Sequence, residues 1–251
     1  MMRSANPTLS DKTFDDAARM LRDAEPSAMT IDGTVNKTGL LLAACFLTAG
    51  FTWNRFFTAG QASVQGLMLL GIFGGLIMAF TTIFKKEWAP VTAPAYALLE
   101  GLALGGISAR FESMFPGIVI QAVGLTFTTL FSLLMAYKSG WIRVTENFRL
   151  MVVAATGGIC CLYLVNFAMS FFGARIPYIH ESGLIGIGFS LFVVGIASAN
   201  LVMDFDFIEK GAERGAPKFM EWYGAFGLMV TLVWLYLEIL RLLAKLNSRR
   251  N

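Results

Sequence analysis

Three acids stand inside long apolar stretches of this sequence. Glu100 lies within Ala95-Tyr96-Ala97-Leu98-Leu99-Glu100-Gly101-Leu102, Asp204 within Asn200-Leu201-Val202-Met203-Asp204-Phe205-Asp206, and Glu238 within Trp234-Leu235-Tyr236-Leu237-Glu238-Ile239. On insertion scales an Asp at the centre of a membrane helix costs about 2.5–3.5 kcal/mol, so such a group faces a partner or a wet cavity. Asn200 and Asp204 are four residues apart and share a helix face. Asp206 points roughly 200° away from Asp204 and matches Lys210 at i,i+4, which with Glu209 reads as a solvated, ion-paired helix end.

Glu238 has two readings. It shares a stripe with Trp234 and Arg241 and can pair with Arg241 three residues on. Alternatively it faces Asp204, and two like charges in close contact then hold one proton between them. A shared proton would tie the sixth and seventh helices together, and a change of protonation would part them and open a wet path. The same oxygens suit a hard cation such as Ca²⁺, so Asp204 and Glu238 are also candidate metal ligands for which proton and cation compete. Glu100 is either a protonated side chain hydrogen-bonded to a neighbouring helix or a further acid along the same path. Asn200 and Asp206 complete the candidates for path or gate. His180, the only histidine, is followed by Glu181 in a connector and at most modulates a pH response.

The elements that must position these groups are membrane helices. Of the 251 residues 56% are hydrophobic and 15% charged, and the mean hydropathy is +0.62, which is not the composition of a soluble domain. Seven apolar runs of about 20 residues, a spanning length, cover roughly 38–55, 64–84, 91–110, 117–137, 150–172, 183–207 and 220–243. The expected fold is therefore an all-α integral membrane bundle of seven transmembrane helices. It divides into a polar arm (1–36), the helical domain (37–245) and a basic tail (246–251). Within the arm, Ser10 to about Leu21 has the pattern of a short amphipathic helix. Lys and Arg concentrate in the arm and in the second, fourth and sixth connectors, which places the N-terminus in the cytoplasm. Seven spans then put the C-terminus outside; Lys245, Arg249 and Arg250 favour instead a re-entrant last segment ending in the cytoplasm. Glycines such as the Gly101-x-x-x-Gly105 pair indicate close helix packing within the chain.

Several function classes are excluded. Basic residues sit in short connectors rather than in a stripe with stacking aromatics, which argues against nucleic acid. No His-Glu-x-x-His pair, Gly-x-Ser-x-Gly elbow or Walker-type glycine loop is present, so an enzyme is not expected. Cys45, Cys160 and Cys161 lie in apolar runs without metal-ligand spacing and read as small apolar residues. The acid-bearing arm is not a signal or transit peptide, so the first span is expected to direct insertion.

Three stretches carry a family resemblance: Met29-Thr30-Ile31-Asp32-Gly33-Thr34-Val35-Asn36-Lys37-Thr38, Ala93-Pro94-Ala95-Tyr96-Ala97-Leu98-Leu99-Glu100-Gly101, and Leu235-Tyr236-Leu237-Glu238. In their order across the spans the chain resembles the Bax inhibitor-1 family, in its bacterial YccA-like branch with a long N-terminus. The resemblance implies a bundle with the last helix near its centre, a Ca²⁺-permeable leak enhanced by acid, and a pH-sensing acid pair on the sixth and seventh helices. Asp204 matches the sixth-helix aspartate, and Glu238 is placed at the seventh-helix position, with glutamate where the family has aspartate. It also implies a bacterial inner membrane, no cofactor beyond Ca²⁺ as permeant or bound ion, and as partners the lipid bilayer, Ca²⁺ and protons. The alternative it leaves open is a non-conducting interaction protein that modulates a membrane protease or a stress response.

Overall fold

The computed structural model describes residues 28–170 and 183–250. Seven helices follow one another: α1 (Ile31–Ala59), α2 (Ala62–Phe84), α3 (Ala89–Met114), α4 (Ile118–Lys138), α5 (Glu146–Ser170), α6 (Leu184–Glu213) and α7 (Met220–Arg250), with a 3₁₀ turn at Lys86–Trp88. All seven are long and apolar enough to cross a membrane, as the seven runs predict. The expected arm helix at Ser10–Leu21, and His180 with Glu181, lie outside the described residues.

Local chemistry sets the helix ends. Thr30 caps α1, its hydroxyl accepting from the Gly33 amide at 3.0 Å, so the helix starts inside the stretch that the sequence assigns to the arm. The Glu112 carboxylate accepts from the amides of Gly117 (2.6 Å) and Val119 (3.0 Å), giving the start of α4 the acceptors that its first turn lacks. The stretch 246–250, expected to be a tail, continues α7.

The helix α7 is the axis of the bundle. It packs on α1, α3, α4 and α6, and 56% of its apolar stretch is buried against 11% of that of α5, which puts α7 inside and α5 at the edge. One core cluster joins α4, α6 and α7 through Ile118, Leu201, Phe205, Leu235 and Leu240. A second joins α1, α3 and α7 through Leu41, Tyr96, Ala97, Phe226 and Met229. The outward faces carry exposed Leu and Phe, such as Leu47, Phe73, Phe131 and Phe167, as surfaces in hydrocarbon do.

Gly101 and Gly105 are where α3 meets α1. A Cβ at 101 would overlap the Cys45 carbonyl oxygen and the Thr48 hydroxyl, and one at 105 would overlap the Ala49 carbonyl oxygen. The obstacle is backbone, which cannot swing aside, so the small-xxx-small pair serves packing within the chain. Gly105→Ala is therefore expected to cost about 1–3 kcal/mol, the usual range for overpacking, read as a lower unfolding temperature in detergent. Gly157→Ala, where an added Cβ meets nothing, should leave that temperature unchanged.

Candidate functional site: an acid-lined cavity and the ties around it

The face of α6 that carries Asn200 and Asp204 opens on a cavity of about 730 Å³. Ile72, Leu76 and Ile83 of α2 form one wall and Met203 and Phe207 of α6 the other, with α3 and α7 as the floor. Glu100 and Tyr96 of α3, and Tyr223 and Thr231 of α7, supply the remaining polar groups, and among the described residues no Lys or Arg lines the space. Asp204 Oδ2 is shut off from solvent and has no hydrogen-bond partner among the described residues. The Glu100 carboxyl leans toward α2, its Oε2 3.2 Å from where a Cβ on Gly75 would stand, so the missing side chain at Gly75 is what gives it room.

Glu238 is elsewhere. Its Oε1 accepts from Tyr163 Oη at 2.9 Å and from Arg241 Nη1 at 2.7 Å, it is 1% exposed, and it does not line the cavity. The expected meeting of Asp204 with Glu238, as proton pair or as shared metal ligands, is corrected by the register of two antiparallel helices. Lys245 of α7 reaches Gly186 O (3.0 Å) and Ser190 Oγ (2.8 Å) of α6, and at the other end Ile208 lies against Gly224. Asp204 therefore lies level with Leu228 and Thr231, and Glu238 with Gly195. At 1.5 Å per residue the two acids are offset by about 14 Å along the helix axes. Among the described residues no group of three or more His, Cys, Asp or Glu could hold a metal ion.

The remaining candidates are engaged in holding α5. Arg149, Thr156 and Tyr163 stand seven residues apart on one stripe of that helix, with the buried Val152 and Ile159 between them. Arg149 Nη2 reaches Asp206 Oδ2 at 3.2 Å, Thr156 Oγ1 accepts from Asn200 Nδ2 at 2.7 Å, and Tyr163 donates to Glu238. Asp206 also takes Lys210 at 2.7 Å, the i,i+4 pair that the spacing predicts. Asn200 thus belongs to both systems, lining the cavity with its stem and tying α5 with its amide.

Sequence reasoning missed Glu221, which is fully buried at the start of α7. It accepts from the Thr30 amide (2.9 Å) and hydroxyl (2.8 Å) and pairs with Lys37 and with Lys218 (2.8 Å). A Cβ at Gly33 would overlap its carboxylate. Thr30, Gly33 and Lys37, at i, i+3 and i+7, thus form a cradle on one face of α1. That spacing, inside the first of the three motif stretches, was the signal available. Cys45 is buried, while Cys160 and Cys161 face outward from α5.

A family model described as Bax inhibitor 1 like matches residues 6–248. No curated protein and no solved structure matches the chain.

Two outcomes follow from this geometry. A double-mutant cycle of Tyr163→Phe with Glu238→Ala, read from unfolding in detergent or bicelles, is expected to give a coupling of about 0.6 kcal/mol and no more than about 1.7, the average and the maximum measured for hydrogen bonds between membrane helices. Gly33→Ala should lower the unfolding temperature and speed proteolysis near residue 29, because it pushes the Glu221 carboxylate off its four donors; Gly39→Ala, with open space around it, should do neither.

Proposed function

The chain belongs to the Bax inhibitor 1 like family, and from that membership together with the acid-lined cavity we propose that it is a proton-sensitive, calcium-permeable leak protein of a bacterial inner membrane, with its N-terminus in the cytoplasm. What carries the reading is that Asp204, one of whose oxygens has no partner among the described residues, and Glu100 line one cavity that no Lys or Arg of the described residues lines. Asp204 and Glu100 take the roles of cation contact and proton sensor; Glu238 becomes a brace for α5. Chemical catalysis plays no part in the reading.

The physical basis is competition for carboxylate oxygens. Two ionised carboxylates in a low-dielectric space hold a hard dication firmly. Conduction needs an ion to enter and also to leave, so a site that binds too well passes little current. A proton on either acid removes one anionic ligand and loosens the hold, which gives a leak that rises toward acid. The other titratable groups facing the cavity are the phenols of Tyr96 and Tyr223; Lys86 lies 5.4 Å from the Tyr223 ring, at the N-terminal mouth.

In proteoliposomes loaded with a calcium indicator, the wild-type leak is expected to increase as pH falls. Asp204→Asn and Glu100→Gln should each flatten that dependence, whereas Glu238→Gln should keep its shape. A profile that survives both cavity substitutions and disappears in Glu238→Gln would restore the acid of α7 to the sensor and overturn this assignment.

A further inference from the structure

Three other acids buried in the helices have their counter-charges within the chain. Asp206 has Arg149 and Lys210, Glu221 has Lys37 and Lys218, and Glu238 has Arg241. Glu100 and Asp204 have none among the described residues, although they face the same space. We infer that the cavity between α2 and α6 is a binding site for a lipophilic primary ammonium ion that enters sideways from the bilayer and supplies the missing positive charge.

The volume fits this class of ligand. About 730 Å³ falls within the roughly 300–1,000 Å³ typical of small-molecule sites and is far more than a bare ion fills. A hard dication held by the two carboxylates must complete its set of about six to eight oxygens with water, since no cluster of three metal-ligating side chains occurs among the described residues, and it fills only a small part of the space. An ammonium group needs acceptors for only three N–H donors. The Asp204 carboxylate, a Glu100 oxygen and the Thr231 hydroxyl, all from residues that line the cavity, are candidates for those three places.

The way in is lateral. Ile72, Leu76, Ile83 and Phe207 line the cavity and are at the same time exposed on the outer surface of the bundle, at 44%, 51%, 46% and 45%. These residues belong to the facing walls α2 and α6, so the opening between them is framed by hydrocarbon on both sides. An alkyl chain can stay among lipid tails while its head reaches the two acids, with no need to cross an aqueous entrance. An alcohol of the same length would lack the charge, and a quaternary ammonium would lack the N–H donors. The site uses the same two carboxylates as the proposed leak, and so rests on their facing the cavity, but it does not require that ions flow.

The experiment uses the full chain in nanodiscs of neutral lipid, with equilibrium binding of radiolabelled octylamine at pH 7 measured against empty nanodiscs. Saturable binding of about one amine per chain is expected, competed by unlabelled octylamine but not by octanol, and only weakly by octyltrimethylammonium. Asp204→Asn and Glu100→Gln should each weaken it at least tenfold, with Cys161→Ser, on the outer face of α5, as the unaffected control. Should a variant fold poorly, protection of Asp204 and Glu100 in the wild-type chain from a hydrophobic carbodiimide, read by mass spectrometry, tests the same contact. Binding that is non-saturable, equal for octanol, or unchanged in both acid variants would overturn the inference, as would unprotected carboxyls. Calcium flux measured on the same preparation separates the two readings: amine binding without flux leaves this site standing and removes the leak, and flux without amine binding does the reverse.

Discussion

An ionised carboxylate inside a bilayer must be given a cation, a proton or water, because the hydrocarbon offers nothing in exchange for its lost hydration. That constraint sorts the acids of this bundle more sharply than their sequence positions do. Glu221 is held by two lysines and two donors of Thr30, Asp206 by an arginine and a lysine, and Glu238 by an arginine and a tyrosine. Each of these joins two helices and is satisfied by the chain itself, which is what a structural acid requires. Glu100 and Asp204 share a cavity that no Lys or Arg of the described residues lines, and the demand they leave unmet is the property that a site for an external ion or proton must have.

The edge position of α5 follows from the same accounting. With little of its surface buried, that helix gains little from apolar packing, and in lipid apolar surface alone gives no drive to associate. What fixes its rotation is a polar contact every second turn, at Arg149, Thr156 and Tyr163. A period of seven keeps such contacts on one stripe of a helix that crosses its neighbours at a shallow angle. The partners lie on two helices, with Asp206 and Asn200 on α6 and Glu238 on α7, so α5 is registered against the same pair of helices that borders the cavity.

The number of spans, their approximate limits and the intramolecular use of Gly101 and Gly105 were legible in the sequence, since spanning length and small-residue spacing are local properties. The pairing of Asp206 with Lys210 was legible for the same reason. The partner of Asp204 was not read correctly, although the means were present. Once two antiparallel helices are joined by the short connector between Glu213 and Met220, levels on one fix levels on the other, and Glu238 falls too far along α7 to reach Asp204. The Glu221 cradle was hidden differently. Residues 30, 33 and 37 form a face only if the helix begins at Ile31, whereas their polarity suggested an arm. Glu100 could not be placed by any local rule, because what it faces depends on how α2 and α3 sit against α6 and α7.

The helix α7 meets every one of these systems along its length. At its start Glu221 clamps the root of the N-terminal segment, and Met29 adds a backbone bond to Ala216 at 2.7 Å. In its middle Gly224, Gly227 and Thr231 form floor of the cavity, where small side chains leave volume that Leu or Phe would fill. In its C-terminal half Tyr236 bonds Ser108 of α3 at 2.6 Å, and Glu238 bonds α5. A helix held at both ends by charged clusters and packed on four neighbours cannot slide or rotate without breaking one of them.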